Sequence, residues 1–200
     1  MPTGVALRDA RQQLFDAAER LLLRDGAGAL TSRAVTAEAG CAKGVLHRHF
    51  ADFDAFLAEL VLVHVERVHW RAVELDACAE AGDGTVVGNL TRALTAVFSP
   101  VVVALVSLVI SRDELRARLR HGGSRGLPLL RETTAMVSAY LTAEQQYGRI
   151  AADADIRTLA PTLIGAVHLR VADREAEPAQ ASDVQPFVQT VLGGVLAPRG

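Results

Sequence analysis

Lys43, His47, Arg48 and His49 stand within seven residues of one another, shortly after Thr31, Ser32 and Arg33. Lysine and arginine side chains reach phosphate oxygens and the acceptor edge of guanine, and a protonated imidazole is drawn to the same anions. Gly44 has no side chain, so a ligand backbone can approach closely there, flanked by Ala42 and Val45. Thr31 reads as a helix N-cap whose hydroxyl accepts an orphan amide, and an open helix start attracts negative charge. The chemistry implied is recognition of a polyanion. Lys43 is the only lysine in the chain, so no second lysine can stand in for it.

Other chemistry finds little support. There is no phosphate loop, nucleophile elbow or metal-ligand spacing, and no catalytic residue, metal or cofactor is assigned. His47 and His49 are two apart and would point to different sides of a helix. Two cysteines, Cys41 and Cys78, are too few for a disulfide framework and suggest a reducing compartment. Cys41 reads as a small buried residue of a turn. An enzyme is not expected.

The basic residues need short helices to present them. Ser32–Ala39 and Ala42–His49 read as two helices around Gly40, with Val45 and Leu46 inward. Two short helices across a glycine turn form a helix-turn-helix, whose second helix enters the DNA major groove. Leu7, Ala10, Leu14 and Leu21 give a bracing helix over residues 6–24. Arg8 and Arg11 on it are candidate phosphate neighbours. Residues 1–50 hold seven Lys/Arg against five Asp/Glu, residues 51–79 two against six, and residues 80–200 twelve of each. A weakly positive head on a neutral body suits phosphate contact at one end.

Beyond the head the pattern stays helical. Asp52 caps a helix that runs to about Ala79, roughly 40 Å long at 1.5 Å per residue. Helices are expected at 85–98, 101–110, 128–146 and 156–171, and a last one carries Phe187 and Val191. Arg112, Arg116, Arg118, Arg120 and Arg125 read as a solvated helix end and mobile loop, with an entrance that attracts anions as the alternative. The apolar run Val97–Ile110 is broken by Ser99-Pro100 and suits a buried helix rather than a membrane span. With no signal-peptide pattern, a soluble cytoplasmic protein without membrane contact is expected. The fold class is all-α, with about nine helices. A helix-turn-helix DNA-binding domain (1–51) precedes a helical effector-binding and dimerisation domain (52–200).

The run Ala39-Gly40-Cys41-Ala42-Lys43-Gly44-Val45-Leu46-His47-Arg48-His49-Phe50, with Asp52 behind it, resembles the TetR (tetracycline-repressor-like) family of bacterial regulators. The likeness covers residues 8–60. Ala42 replaces a usual Ser or Thr, Val45 a Thr and His47 a Tyr, while Ala51 and Phe53 stand where many members carry Lys. Each departure removes or changes a phosphate contact. The resemblance implies a homodimeric, ligand-responsive regulator, most simply a repressor, that binds a palindromic double-stranded operator. Thr31, Ser32, Arg33, Ala42, Lys43, Gly44, Val45, His47, Arg48 and His49 would meet the DNA. It also implies a pocket for a small hydrophobic or amphipathic effector, for which Trp70, Phe98, Leu105, Leu108, Met136, Tyr140 and His168 are candidates. The last two helices would pair with their symmetry mates through Leu163, Val167, Phe187, Val191, Leu192 and Val195. A rival reading keeps the helical body as a ligand- or protein-binding module whose DNA head has weakened.

Overall fold

Apolar spacing and clear end signals set ten α-helices along the described residues. The computed structural model describes residues 4–173 and 177–197, the side chains of residues 4–9 excepted. The head holds α1 (Gly4–Asp25), a short 3-10 turn (Ala27–Ala29), α2 (Ser32–Glu38) and α3 (Val45–His49). Then come α4 (Phe53–Ala81), α5 (Val86–Val97), α6 (Pro100–Ser111), α7 (Asp113–His121), α8 (Pro128–Gln146), α9 (Ile156–Ala172) and α10 (Ala181–Leu192).

The caps expected at Thr31 and Asp52 are present, and Thr85 and Asp155 act in the same way. Amides of Ala34, Ala55, Gly88 and Thr158 donate to the side chains of Thr31, Asp52, Thr85 and Asp155. Each satisfies one orphan donor of a first turn. Hydrogen bonds from Thr158 hold the Asp155 carboxyl below its ordinary range. At the start of α10, the Gln180 amide donates to the Asp183 carboxylate at 2.9 Å.

One helix escapes the sequence reading. Residues 113–121 form α7, not a solvated end and loop, which raises the expected nine helices to ten among the described residues. Leu115 and Leu119, one turn apart, are buried. Asp113 and Glu114 open the helix and Arg118, Arg120 and His121 close it, which suits the helix dipole. The dense arginines hid that short amphipathic signal.

The chain divides into two compact units, and neither is continuous in sequence. One comprises Met1–Val63 with Ala104–Leu127; the other comprises His64–Val103 with Pro128–Gly200. In the first unit Phe15, Phe50 and Phe56 form a closed aromatic triangle, with ring centroids 5.0–5.7 Å apart. Leu14, Ala17, Ala18, Val35 and Leu46 are fully buried around it. Arg118 pairs with Asp52, and Arg112 lies 3.6 Å from Asp54 and over the Phe53 ring, so α7 clasps the first turn of α4.

In the second unit α5, α8, α9 and α10 pack around Leu90, Leu94, Phe98, Val137, Tyr140, Leu163, Val167, Val188 and Leu192. A polar network runs through this apolar core. Asn89 donates to Tyr140 Oη at 3.0 Å and to the Asp83 carbonyl at 2.8 Å. Arg149 pairs with the buried Glu144 and donates to the Ala79 carbonyl at 2.6 Å. Burial, and then the Glu144 carboxylate that accepts from its hydroxyl, push Tyr140 well above the ordinary phenol value. Gly148 takes φ +72° between α8 and Arg149, a backbone state that side chains disfavour. No single helix among the described residues is long and apolar enough to cross a membrane. The bent pair α5 and α6 passes by length and composition together, but most of its apolar residues are buried in the fold.

The network sets an asymmetry that chemical denaturation can read. Arg149→Ala leaves the Glu144 carboxylate buried without its counter-charge and should destabilise by about 3 kcal/mol. Glu144→Ala frees a guanidinium that is already one-third exposed and can turn to water. It also takes the acceptor from the buried Tyr140 hydroxyl, so that change should cost about 2 kcal/mol. A second prediction concerns His168, whose imidazole is held below its ordinary 6.5 by burial. The folded chain favours the neutral ring, so the unfolded chain takes up the proton first. The stability His168 contributes is therefore full above pH 6.5 and declines as pH falls below it. Melting temperatures between pH 7 and 5 should fall for the natural protein and less steeply for His168→Phe.

Candidate functional site

The helix-turn-helix is built by local backbone chemistry. Thr31 starts α2, and α2 ends where Gly40 takes φ +64°. That conformation lets the Gly40 amide reach the Ala37 carbonyl (3.1 Å) and the Cys41 amide reach the Thr36 carbonyl (3.0 Å). Cys41 is half-buried at the turn, as expected of a small packing residue.

The second helix is shorter than its sequence suggests. It begins at Val45 rather than Ala42, with Gly44 at the N-cap and no capping side chain. The Val45 amide bonds to the Ala42 carbonyl at 2.9 Å, so 42–45 is a turn that leads into the helix. Ala42 is therefore not the cap residue. Leu46 and Phe50 anchor α3 by full burial, while Val45 is only half-buried. Ala42, Lys43, Gly44, His47 and Arg48 are exposed, and His49 is half-buried with its ring 6.4 Å from that of Phe50. A Cβ placed on Gly44 would meet nothing within 4 Å, so the surface over it is open.

Charge pairing sorts the basic residues of the head. Arg20 and Arg24 bond to Glu38 at 2.9 and 3.1 Å, and Arg24 also bonds to Asp25. These arginines hold the Glu38 and Asp25 carboxyls below their ordinary range. Arg11, a candidate phosphate neighbour, instead pairs with Glu59 and lies 4.6 Å above the Phe50 ring. It also donates to the His49 carbonyl at 3.4 Å. Its role in the fold is to bolt α1 to the end of α3. The Arg8 side chain lies outside the described residues. Arg33, Lys43 and Arg48 have no ion-pair partner among the described residues, and all three belong to the helix-turn-helix. Thr31 and Ser32 sit beside Arg33, the first exposed and the second half-buried.

The candidate effector residues divide between the two units. Leu105 and Leu108 are fully buried and belong to the first unit. Phe98, Met136 and Tyr140 are core residues of the second. His168 lies against Phe98, ring centroids 5.9 Å apart, with a buried Nδ1 that has no partner. Only Trp70 borders the cavity on α4, which encloses about 370 Å³. Its α4 wall is His64, Arg67, Val68, Trp70, Arg71 and Glu74, and the facing wall is Ala96, Val97, Ser99 and Val102. The polar members fall at 64, 67, 71 and 74, a helical spacing on one face that the sequence did carry. A roomier recess of about 520 Å³ at the start of α5 is walled mainly by glycine, glutamine and aliphatic residues, without an aromatic surface.

The candidate dimer residues also divide. Leu163, Val167 and Leu192 are fully buried in their own unit, whereas Phe187, Val191 and Val195 are half-buried. α9 is not enclosed on every side: Thr158, Pro161, Thr162, Gly165 and Leu169 face outward.

Residues 14–60 match the model of the bacterial regulatory proteins, tetR family. No curated protein is matched by the sequence. Among solved structures, a TetR-family regulator from Agrobacterium tumefaciens aligns with TM-score 0.71 and 15% identity, over 96% of this chain and 100% of the other. The fatty acid degradation regulator FadR of Bacillus halodurans aligns with TM-score 0.67 and 17% identity, over 92% and 95%. FadR of Bacillus subtilis, solved with stearoyl-CoA, aligns with TM-score 0.65 and 16% identity, over 92% and 98%. At these identities the likeness speaks for the fold. The capped α2, glycine turn and exposed α3 all lie within the matched residues 14–60, and the chain as a whole is similar in its all-helical fold to solved TetR-family structures.

Proposed function

We propose that this protein is a homodimeric transcriptional regulator, most simply a repressor, that binds a palindromic operator and is released by a small effector. One observation carries the reading. Arg33, Lys43 and Arg48, exposed and without ion-pair partners among the described residues, all stand on the helix-turn-helix, while Arg11, Arg20 and Arg24 are engaged within the head. Unpaired cations on a groove-sized helix and the turn before it are what phosphate contact requires. Lys43 and Arg48 then serve as phosphate or guanine contacts, with Gly44 admitting the DNA backbone. Ala42, Val45, His47 and His49 complete the surface from α3, and Thr31, Ser32 and Arg33 from α2.

Two-fold symmetry would bring two such heads to half-sites one helical turn apart. The outward face of α9 and the half-buried residues of α10 are the surfaces offered for that pairing. The effector would enter the cavity on α4, whose volume falls within the range of small-molecule sites. B. subtilis FadR, which shares the fold, holds stearoyl-CoA. An effector shifts the dimer only by binding one arrangement better than the other. We place the protein in the cytoplasm, with no catalytic role.

Selection of bound duplexes from a random DNA pool tests the reading. A palindromic consensus with half-sites about one turn apart is expected. Lys43→Ala and Arg48→Ala should each weaken binding and lower the slope of log affinity against log salt by about one per protomer. No enriched site at low salt would favour the rival, a helical ligand- or protein-binding module.

A further inference from the structure

Five arginines stand between residues 112 and 125 against two acids, Asp113 and Glu114. Three of them are engaged inside their own unit. Arg112 lies 3.6 Å from Asp54 and 5.4 Å above the Phe53 ring, Arg116 pairs with Asp113, and Arg118 pairs with Asp52. Arg120 and Arg125 are exposed and have no ion-pair partner among the described residues. The loop does not carry Arg125 away from the helix. The Gly122 amide donates to the Arg118 carbonyl and the Ser124 amide to the Leu119 carbonyl, each at 3.0 Å, so the chain folds back over the last turn of α7.

Asp52 sets where this basic end lies. It caps α4 two places after Phe50, the C-cap of α3; one carboxylate oxygen accepts the Ala55 amide and the other pairs with Arg118. At 1.5 Å per residue α3 is about 7.5 Å long, shorter than the roughly 12 Å width of a major groove. A duplex read by α3 therefore carries a phosphate strand past the end of that helix. Asp52 and Asp54 then fall within the Debye length of about 10 Å at 0.1 M salt, where two bare carboxylates would repel the strand. Arg118 and Arg112 cancel those charges, and Arg120 and Arg125 add positive charge beyond them.

We propose that the C-terminal end of α7 is a second surface for DNA phosphates, outside the helix-turn-helix. Arg118 masks Asp52 beside the recognition helix, and Arg120 and Arg125 meet the backbone through the planar forks that suit phosphate oxygens. This rests on the DNA reading above. The helix dipole does not account for the whole cluster, because its influence ends with the last turn and Arg125 lies past it.

The test measures binding of the full-length protein to the selected operator and to an unrelated duplex across a salt series. Arg120→Gln combined with Arg125→Gln should lower the slope of log affinity against log salt by about two per protomer. Both duplexes should weaken by the same factor, since phosphates carry no sequence information, and the melting temperature should not move. Arg118→Gln leaves Asp52 facing the backbone and should weaken binding. Adding Asp52→Asn, which keeps a capping side chain, should restore most of the loss. An unchanged slope in the Arg120 and Arg125 double variant would overturn the proposal, and so would an Arg118 loss that Asp52→Asn does not recover. If the natural protein selects no site even at low salt, the DNA reading fails and this proposal falls with it. If it selects one and the variants bind as it does, only the part given to α7 fails.

Discussion

A helix as short as α3 cannot hold itself together. Isolated helices of this length are unstable in water because nucleation is unfavourable and few backbone bonds follow it. The recognition surface therefore depends on side chains that α3 does not own. Leu46 is buried among the head helices, and Phe50 closes a triangle with Phe15 from α1 and Phe56 from α4. Arg11 covers that triangle, pairs with Glu59 and donates to the carbonyl of His49. With these in place, five residues of helix present Arg48 and His47 to solvent, and the preceding turn presents Lys43.

The same contacts decide which cations remain available. A head with a small positive excess is an ordinary composition, and most such charges on helical surfaces are merely solvated. Here Arg11, Arg20 and Arg24 are drawn toward Glu59, Glu38 and Asp25, and Arg112, Arg116 and Arg118 toward Asp54, Asp113 and Asp52. Arg33, Lys43 and Arg48 lack such neighbours among the described residues. The DNA reading rests on this sorting of partners more than on net charge.

The second unit is organised by a different constraint, the need to satisfy polar groups inside an apolar core. Asn89, Tyr140, Glu144 and Arg149 link the start of α5, the middle and end of α8, and the last carbonyls of α4. A fully satisfied network of this kind fixes one arrangement, since alternatives would strand a buried donor or acceptor. Tyr140, a candidate ligand contact, is part of that network. Its hydroxyl is already committed, and its ring is fully buried.

Much of the fold was legible in local sequence. Thr31, Asp52, Thr85 and Asp155 announce helix starts because a short polar side chain answers a free amide. Gly40, Gly82 and Gly148 announce ends because only glycine adopts positive φ without strain. These are nearest-neighbour effects, and so is the helix-turn-helix motif. Tertiary structure decided the rest. Which arginines are paired, which leucines face inward, and whether Met136 lines a cavity or fills a core depend on residues far away in the chain. Leu163, Val167 and Leu192 look identical to interface residues in sequence, because burial against one's own chain and burial against another select the same side chains. Likewise 42–49 had helical composition throughout, but the bond from Val45 to Ala42 kept its first residues in a turn. The sequence determined the helices and the motif; partners distant along the chain decided which of its polar groups were left free to bind.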